Sequence, residues 1–585
     1  LYVNFAEHQD DTKVVLVRYG NVLESTGSVI PYFKNLLEQG VSSLPITHSE
    51  MTRFLLTLEQ ASDLIDWACE SPISHGKIAI PKIKSMKVTD IAKCLIKSYG
   101  LDSSVRLEEI GMRDGEKLHE EMISSEEWMR TENHGDFFLI GQKNVKDESV
   151  SYNSKDSLMD SEDTYNFLEN GYQKRETCAS CGGNSFETIL DLGVVPLAGY
   201  FPTKEELKNE SKYPLSLLVC NDCKLVQTDS VINPKLLFED YRYLSSIGLS
   251  KHFSEVADIL NERYGVKDKH ILEIGCNDGV LLEPLQKLGA IVEGVDPAVN
   301  VVKLATNKGL KVYNDFFNDK TFGGNEFKGK YDLVISNNTF AHIIDLQSVV
   351  RGIHHVLKPN GDFILEVHYL KNLVQGKQWD NIYHEHIFYY SITALQNVFK
   401  RYGMTIIDFE EIPIHSGSIR VTVRNKTVRE LDKVNLRVEW ESKWPHSFIS
   451  DVKHLKNYGK VVDDHITQFK KTIKELAKKY TIAGYGASGR ANMFCNLTNL
   501  DKDIVKFIVD ESPERCGRYI ANTKIPIVDV ETLENSNVDL LIIFAWNYSK
   551  MIIEKTQFKS YSYLVAFPNI QLVQSYDELE GFDSI

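Results

Sequence analysis

The chain has 585 residues, 25% of them charged, and a formal net charge of −16, a length that excludes a single core and implies about three or four domains. No window approaches the roughly 18 uninterrupted apolar residues of a membrane span, and no basic-then-apolar leader opens the chain. The acidic balance argues against general affinity for nucleic acid or anionic membrane, so a cytoplasmic multidomain protein with local basic pockets is expected.

Lys13 to Val17 reads as a β run entering Arg18-Tyr19-Gly20-Asn21-Val22, and the turn Ser25 to Ser28 leads into a helix near Ile30 to Glu38. Met51-Thr52-Arg53-Phe54 precedes a helical Leu55 to Cys69, and Ile78 to Pro81 and Met86 to Asp90 flank a lysine-rich stretch. Gly111 to Met122 then carries Arg113 and Glu116. Arg53 and Arg113 offer planar forks for a diphosphate, Asn21 a two-way amide for a nucleotide, and Glu116 an acceptor for ribose or for ordering an arginine. The competing reading is a set of surface ion pairs.

In this order the motifs resemble the C-terminal half of the extended short-chain dehydrogenase family, specifically nucleotide-sugar 4,6-dehydratases of polysaccharide biosynthesis acting on UDP-N-acetylglucosamine. The resemblance covers virtually all of residues 1–142. It implies a truncated substrate half, because the family's glycine-rich dinucleotide turn and Tyr-x-x-x-Lys pair belong upstream of Lys13. Residue 1 is leucine, and the sequence reads as a fragment of a longer product. NAD and hydride chemistry are expected only with that missing half, and a homo-oligomer through this part.

Residues 143–177 are polar, acidic and serine-rich, the composition of a linker. A zinc-binding module is expected over 178–240, where Cys178-x-x-Cys181 and Cys220-x-x-Cys223 stand 38 residues apart. Four thiolates from two such knuckles close a tetrahedral structural site. The remaining five of nine cysteines are scattered, which suits a reducing compartment.

Residues 241–425 read as a Rossmann-like, doubly wound parallel sheet. Ile271 to Ile274 form a short apolar strand, Gly275 and Gly279 bracket Cys276-Asn277-Asp278, Leu281, Leu282, Leu285 and Leu288 recur at helical spacing, and Gly289 caps the helix. A second strand, Ile291 to Val295, ends at Asp296, placed to accept both ribose hydroxyls of a nucleoside. Glu273-x-Gly275-x-Asn277-x-Gly279 is not the pyrophosphate turn Gly-x-Gly-x-x-Gly. It resembles the first motif of class I methyltransferases and implies S-adenosylmethionine; an ordinary buried βαβ unit is the alternative. Later strands are expected at Lys311 to Tyr313, Asp332 to Ser336 and Asp362 to Val367, with Asn338 and His342 just beyond the second of these. Tyr383-His384-Glu385-His386 follows, a density of ionisable groups more common in sites than on solvated surface.

From about 175 to 575 these features resemble sugar C-3-methyltransferases that modify 4-keto-6-deoxy nucleotide sugars. Tyr383, Glu385 and His386 match that family's Tyr-His-Glu-His motif, His342 its histidine after the fourth strand, and Tyr243, less certainly Tyr241, its tyrosine after the zinc module. The expected roles are His386 as base oriented by Glu385, and Tyr383 and His342 as hydrogen-bond donors to the enolate at C4. O- or N-methylation and non-catalytic nucleotide-sugar binding are the alternatives.

Residues 426–585 read as a third, Rossmann-like domain: a helix Val452 to Tyr480, then Gly484-x-Gly486-x-Ser488-Gly489-Arg490, a strand Val505 to Val509, and Asp510. NAD binding here competes with the resemblance, which implies that Gly484, Gly486, Ser488 and Arg490 hold the nucleotide-sugar diphosphate. Ser416 before Gly417 and Arg490 itself depart from the family, which has a Gly-Gly pair and a lysine there. The fold class is α/β multidomain.

Overall fold

The computed structural model describes residues 13–580 apart from 24, 26, 99–104, 143–149, 160–163, 165–171, 209, 233–236, 238–245, 430 and 444–451. It divides into two units, Leu1–Gln173 and Lys174–Ile585. Among the described residues no helix is long and apolar enough to cross a membrane.

The first unit holds a sheet in which Leu16–Val17 pairs parallel with Ile78–Pro81, followed antiparallel by Phe137–Ile140 and Thr131–His134. Thr57 marks one departure from the sequence reading. Its side chain accepts the Gln60 N–H while the Gln60 side chain accepts the Thr57 N–H, a capping box that starts the helix at Leu58. Thr52–Leu56, buried at nearly every position, is therefore a strand and not the helix's first turn. Part of the expected linker is also packed. Tyr152–Asn153 pairs with Glu121–Ile123, the Tyr152 hydroxyl bonds Ile83 N at 2.7 Å and Ile83 O at 2.5 Å, and the ring lies 5.0 Å from Phe54. One aromatic side chain brings enough area and a hydroxyl to order a stretch whose composition is otherwise that of a tether.

The second unit begins with three antiparallel strands, Phe186–Val195, Tyr213–Cys220 and Val226–Thr228, and the last of these pairs with Phe388–Tyr389 from far downstream. The central sheet contains β1 (His270–Ile274), β2 (Ile291–Val295), β3 (Lys311–Tyr313), β4 (Tyr331–Asn337), β5 (Leu357–His368), β6 (Thr405–Ile412) and β7 (Ser418–Arg424) in the order β3-β2-β1-β4-β5-β7-β6. All are parallel except β7, which runs antiparallel to both neighbours. The β1 to β5 core is strongly apolar, as a sheet covered on both faces requires. Helix α1 (Ser246–Tyr264) precedes it.

Helix α2 (Val452–Leu476) buries Leu455, Tyr458, Val462, Phe469 and Ile473 at helical spacing. It crosses the first strand of the unit so closely that a Cβ on Gly459 would lie 2.4 Å from the Ile189 carbonyl oxygen. The C-terminal sheet follows: β8 (Ile482–Tyr485), helix α3 (Gly489–Thr498), β9 (Val505–Val509), β10 (Ile527–Val528), β11 (Leu540–Ile543), β12 (Ser562–Val565) and β13 (Gln571–Val573), in the order β10-β9-β8-β11-β12-β13. One link to the central sheet is Trp379, wholly buried, which stacks on Phe494 at 4.9 Å, meets Phe567 at 5.2 Å and donates its indole N–H to His465 Nδ1 at 2.9 Å.

Candidate functional site

Strand order reverses between β1 and β4, the place where an open α/β sheet leaves a crevice at its carboxyl edge. β1 delivers Glu273 and Gly275 there. Gly275 has φ +72°, and a Cβ on it would lie 2.2 Å from Thr339 Oγ1, so the turn can pass the loop after β4 only as glycine. Asn277 donates its N–H to Asp296 Oδ2 at 2.9 Å, and Ala298 donates to Oδ1 at 3.0 Å. Asp296 is thus aimed by backbone amides, with acceptor capacity left on each oxygen. Cys276 turns its thiol inward over Gly294, and Gly279 packs against Leu310. Asn338, at φ +55°, donates its N–H to the Glu366 carbonyl at 2.8 Å.

One oxygen of Glu273 and one of Asp278 are buried with no hydrogen-bond partner. Burial, then the Asp296 carboxylate, pushes the Glu273 carboxyl well above its ordinary range. Orphaned acceptors beside a glycine turn fit a ligand that brings positive charge and donors, as S-adenosylmethionine does. Glu273 holds its proton below its raised pKa, and only the ionised form attracts a cation. S-adenosylmethionine affinity should therefore rise with pH above the usual carboxylate range in titration calorimetry, and Glu273→Gln should flatten that slope. Asp296→Asn should weaken binding about tenfold to a hundredfold, the effect of a lost charged hydrogen bond.

The second cluster sits at the ends of β4 and β5. His342 Nδ1 lies 2.6 Å from the Glu385 carbonyl oxygen. A carbonyl only accepts, so Nδ1 carries the proton and, in the neutral ring, Nε2 carries the lone pair. His386 Nδ1 donates to the Asn381 carbonyl at 3.0 Å, leaving Nε2 to accept the Tyr383 hydroxyl at 2.9 Å. The Tyr383 and His386 rings stack at 4.0 Å, and His342 and His386 are 5.0 Å apart. Burial holds His342 down to about 4 and His386 well below the usual histidine value, so both are neutral at neutral pH.

Glu385 does not orient His386. Its Oε1 accepts the Gly199 N–H at 2.9 Å, and its other oxygen has no partner. His384 likewise reaches the Pro214 carbonyl at 3.1 Å. The motif is a turn that sends 384 and 385 toward the cysteine module and 383 and 386 toward each other. His342 is correspondingly tied to Glu385 by its donor nitrogen, which removes the expected donor to an enolate. Tyr243 and Tyr241 lie outside the described residues.

Two nearby histidines went unread in the sequence. His368 ends β5, and His415 precedes β7 at φ +53°, followed by Ser416 at φ +68°. Two non-glycine residues in the left-handed region cost on the order of 1 kcal/mol each. Burial, then the Arg490 charge, holds His368 at about 3 and His415 at about 4. Beneath them the buried Glu366 pairs with His252 of α1 at 2.9 Å and with Arg420 at 2.6 Å.

Arg490 is committed within the fold. Its guanidinium forks onto Asp380 at 2.9 and 3.0 Å, donates to Ser416 Oγ at 3.2 Å and lies 4.6 Å over the Trp546 ring. Trp546 is a core residue whose N–H donates to Asp380 at 3.0 Å. Asp380→Ala leaves Arg490 and that N–H without this carboxylate, and should lower unfolding free energy by about 3–5 kcal/mol in denaturant titration. Ser488 caps α3 by accepting the Ala491 N–H, Gly486 ends β8 against Ala545, and Gly484 packs under Phe544.

In the first unit Arg53 donates to the Lys117 carbonyl at 2.9 Å and reaches Glu116 at 3.4 Å. Asn21 donates to Glu120 at 3.1 Å, and Glu116 accepts the Arg113 N–H at 3.2 Å. Asn21 and Arg53 thus meet at Glu120, and Arg53 also reaches Glu116, which lies against an arginine in this structure. The Arg113 side chain contributes no guanidinium contact to that network among those the structure shows.

The sulfurs of Cys178, Cys181, Cys220 and Cys223 lie within 4.8 Å of one another. Gln227 donates to Cys178 Sγ at 3.2 Å and accepts the Ala179 N–H at 3.1 Å. Four converging thiols with an ordered second layer fit a closed tetrahedral zinc site.

Comparison with known proteins gives four family matches. Residues 1–142 match the model "Polysaccharide biosynthesis protein", 178–238 the "Putative zinc binding domain", 249–408 the "Methyltransferase domain" and 413–565 the "C-methyltransferase C-terminal domain". C-methyltransferase NovU of Streptomyces niveus is 28% identical over 387 residues, 65% of this chain and 91% of that protein. The inverting UDP-N-acetylglucosamine 4,6-dehydratase of Campylobacter jejuni is 42% identical over 129 residues, 22% of this chain. The capsular polysaccharide biosynthesis protein CapD of Staphylococcus aureus is 40% identical over 122 residues, 21% of this chain. The chain spans 36% of the length of that dehydratase and 20% of that of CapD.

Proposed function

We propose that this chain, an S-adenosylmethionine-dependent C-methyltransferase joined to a polysaccharide biosynthesis segment, methylates carbon 3 of a 4-keto-6-deoxy nucleotide sugar. The observation that carries the reading is the Tyr383 hydroxyl bonded to the lone pair of neutral His386. Transfer to oxygen or nitrogen would need no ketone beside the acceptor atom. Carbon 3 becomes a nucleophile only when its proton leaves and the C4 carbonyl takes the charge as an enolate.

Tyr383 Oη accepts that proton while its own phenolic proton passes to His386 Nε2, so carbon loses one proton and nitrogen gains one. The Asn381 carbonyl on Nδ1–H steadies the imidazolium. Bound at Glu273 to Gly279 and Asp296, S-adenosylmethionine supplies an electrophilic methyl on a positive sulfonium. Zinc held by the four cysteines would be structural.

The likeness of residues 1–142 to a UDP-N-acetylglucosamine 4,6-dehydratase supports a UDP-linked, 2-acetamido substrate, and dehydration of that kind creates the ketone that acidifies C3. The two steps would then be sequential and cytoplasmic. The test is incubation with labelled S-adenosylmethionine and 4-keto-6-deoxy sugars bearing UDP or dTDP, followed by NMR location of the methyl group. A methyl found on a heteroatom sinks the reading.

A further inference from the structure

We propose that Asn492 is a positioning residue for methyl transfer, and that helix α3 holds the Tyr383 to His386 turn in working shape from two sides. The proposal rests on the reading that this turn carries out the transfer, and it holds for whichever atom receives the methyl group. Asn492 is wholly buried near the start of α3. Its amide nitrogen donates to three carbonyl oxygens of one loop, those of Leu197 and Ala198 at 3.2 Å and of Tyr200 at 2.9 Å. The orientation of the amide is fixed from behind. Its Oδ1 accepts the Asn496 amide at 3.1 Å, and Asn496 Oδ1 accepts in turn from Asn522 at 3.0 Å. A carbonyl only accepts, so a flipped Asn492 would lose every one of these partners.

Residues 196–203 form neither strand nor helix, so this loop has no ladder to hold it and takes its order from side chains. Gly489, the first residue of α3, closes on it as well, since a Cβ there would lie 3.3 Å from the Ala198 Cβ. Between the tethered carbonyls of Ala198 and Tyr200 stands Gly199, whose N–H donates to Glu385 Oε1 at 2.9 Å. The Glu385 carbonyl accepts His342 Nδ1 at 2.6 Å, and His386 is the next residue. Hydrogen bonds therefore run from α3 through the loop to the end of the turn.

The same helix reaches the beginning of the turn by another route. Arg490, two residues before Asn492, forks onto Asp380, and the neighbouring Asn381 carbonyl accepts His386 Nδ1 at 3.0 Å. The Tyr383 hydroxyl meets His386 Nε2 at 2.9 Å only while both ends of the turn stay in place. A misplacement of about 1 Å at reacting groups can cost on the order of a hundredfold in rate, even when its origin is remote.

The experiment is a double-mutant cycle between Asn492→Ala and Glu385→Ala, with labelled S-adenosylmethionine and a UDP-linked 4-keto-6-deoxy sugar. Asn492→Ala should lower kcat about tenfold to a hundredfold. The Kd for S-adenosylmethionine should stay within about twofold, because the turn at Gly275 takes no part in the tether. In the Glu385→Ala background the same substitution should change kcat by less than about twofold, since the link it acts through is already cut. An asparagine that only supported the fold would cost the same factor in both backgrounds. Melting curves report folding, and Asn492→Ser, which loses the reach to the loop but keeps a polar group, takes its place in the cycle if the alanine variant folds poorly. Hydrogen exchange read by mass spectrometry needs no turnover: amides of residues 197–201 should exchange about tenfold faster in Asn492→Ala, with those of β1 unchanged. Equal losses in both backgrounds, a folded variant with wild-type kcat, or unchanged exchange over the loop overturns the proposal. Absence of turnover with that sugar in wild type sinks the substrate reading alone, and the exchange arm still decides the tether.

Discussion

Tyr383→Phe should lower kcat for methyl transfer by about a thousandfold while leaving S-adenosylmethionine affinity within twofold. The magnitude is that of a positioned general base, and on the proposed mechanism the substitution removes only the oxygen that passes the proton from carbon 3 to His386. Exchange of the C3 proton with deuterated water, measured without methyl donor, should fall in parallel, because the same atom removes the proton whether or not a methyl follows. His386→Gln should produce a similar loss. The two act as one unit, so the double variant should be little worse than either single one. Acid sensitivity carries the same signature. Burial keeps His386 neutral well below the ordinary histidine range, so kcat/KM should not begin to fall near pH 6.5 as it would for an exposed imidazole base. Undiminished exchange in both single variants would remove Tyr383 and His386 from the mechanism.

Cys220→Ser should cost the protein its zinc and more than about 3 kcal/mol of stability, with activity lost alongside. Structural zinc sites carry folding free energy directly, and here the metal would hold more than the knuckles. Cys220 and Cys223 are buried, and Cys220 ends the strand Tyr213–Cys220, whose neighbour Val226–Thr228 pairs with Phe388–Tyr389. That last strand starts two residues after His386. Loosening the cysteine cluster therefore loosens the turn that points Tyr383 and His386 at each other. Elemental analysis of purified protein, and melting curves with and without a strong chelator, read both effects. A metal-free protein with full activity and an unchanged melting temperature would show that the four thiols need no ion.

What the sequence made legible is what is local. The strand, glycine turn and helix around Gly275, the acid one strand later, and the two Cys-x-x-Cys knuckles each lie within a short window whose periodicity or spacing has one physical explanation. What escaped is pairing between distant residues. Nothing near Arg490 announces that Asp380, 110 positions earlier, will take its fork, or that Glu366 will be held by His252 and Arg420. The role expected of Glu385 failed for the opposite reason. Adjacency in sequence suggested partnership, but a turn sends neighbouring side chains apart, and the carboxylate finds Gly199 instead. Tyr152 shows the limit of composition, since a single ring orders a stretch that reads as tether.

Trp379 belongs by position to the catalytic half and by packing to the C-terminal half, and it is followed immediately by Asp380, which holds Arg490, and Asn381, whose carbonyl sets the tautomer of His386. A chimera that exchanged everything after residue 425 for the corresponding part of a relative would bring a foreign socket to a native plug. Grafts that also transplant Trp379 to Asn381 should keep turnover where simple end-swaps lose it, so the seam along which this enzyme can be recombined does not follow the gap between its sheets.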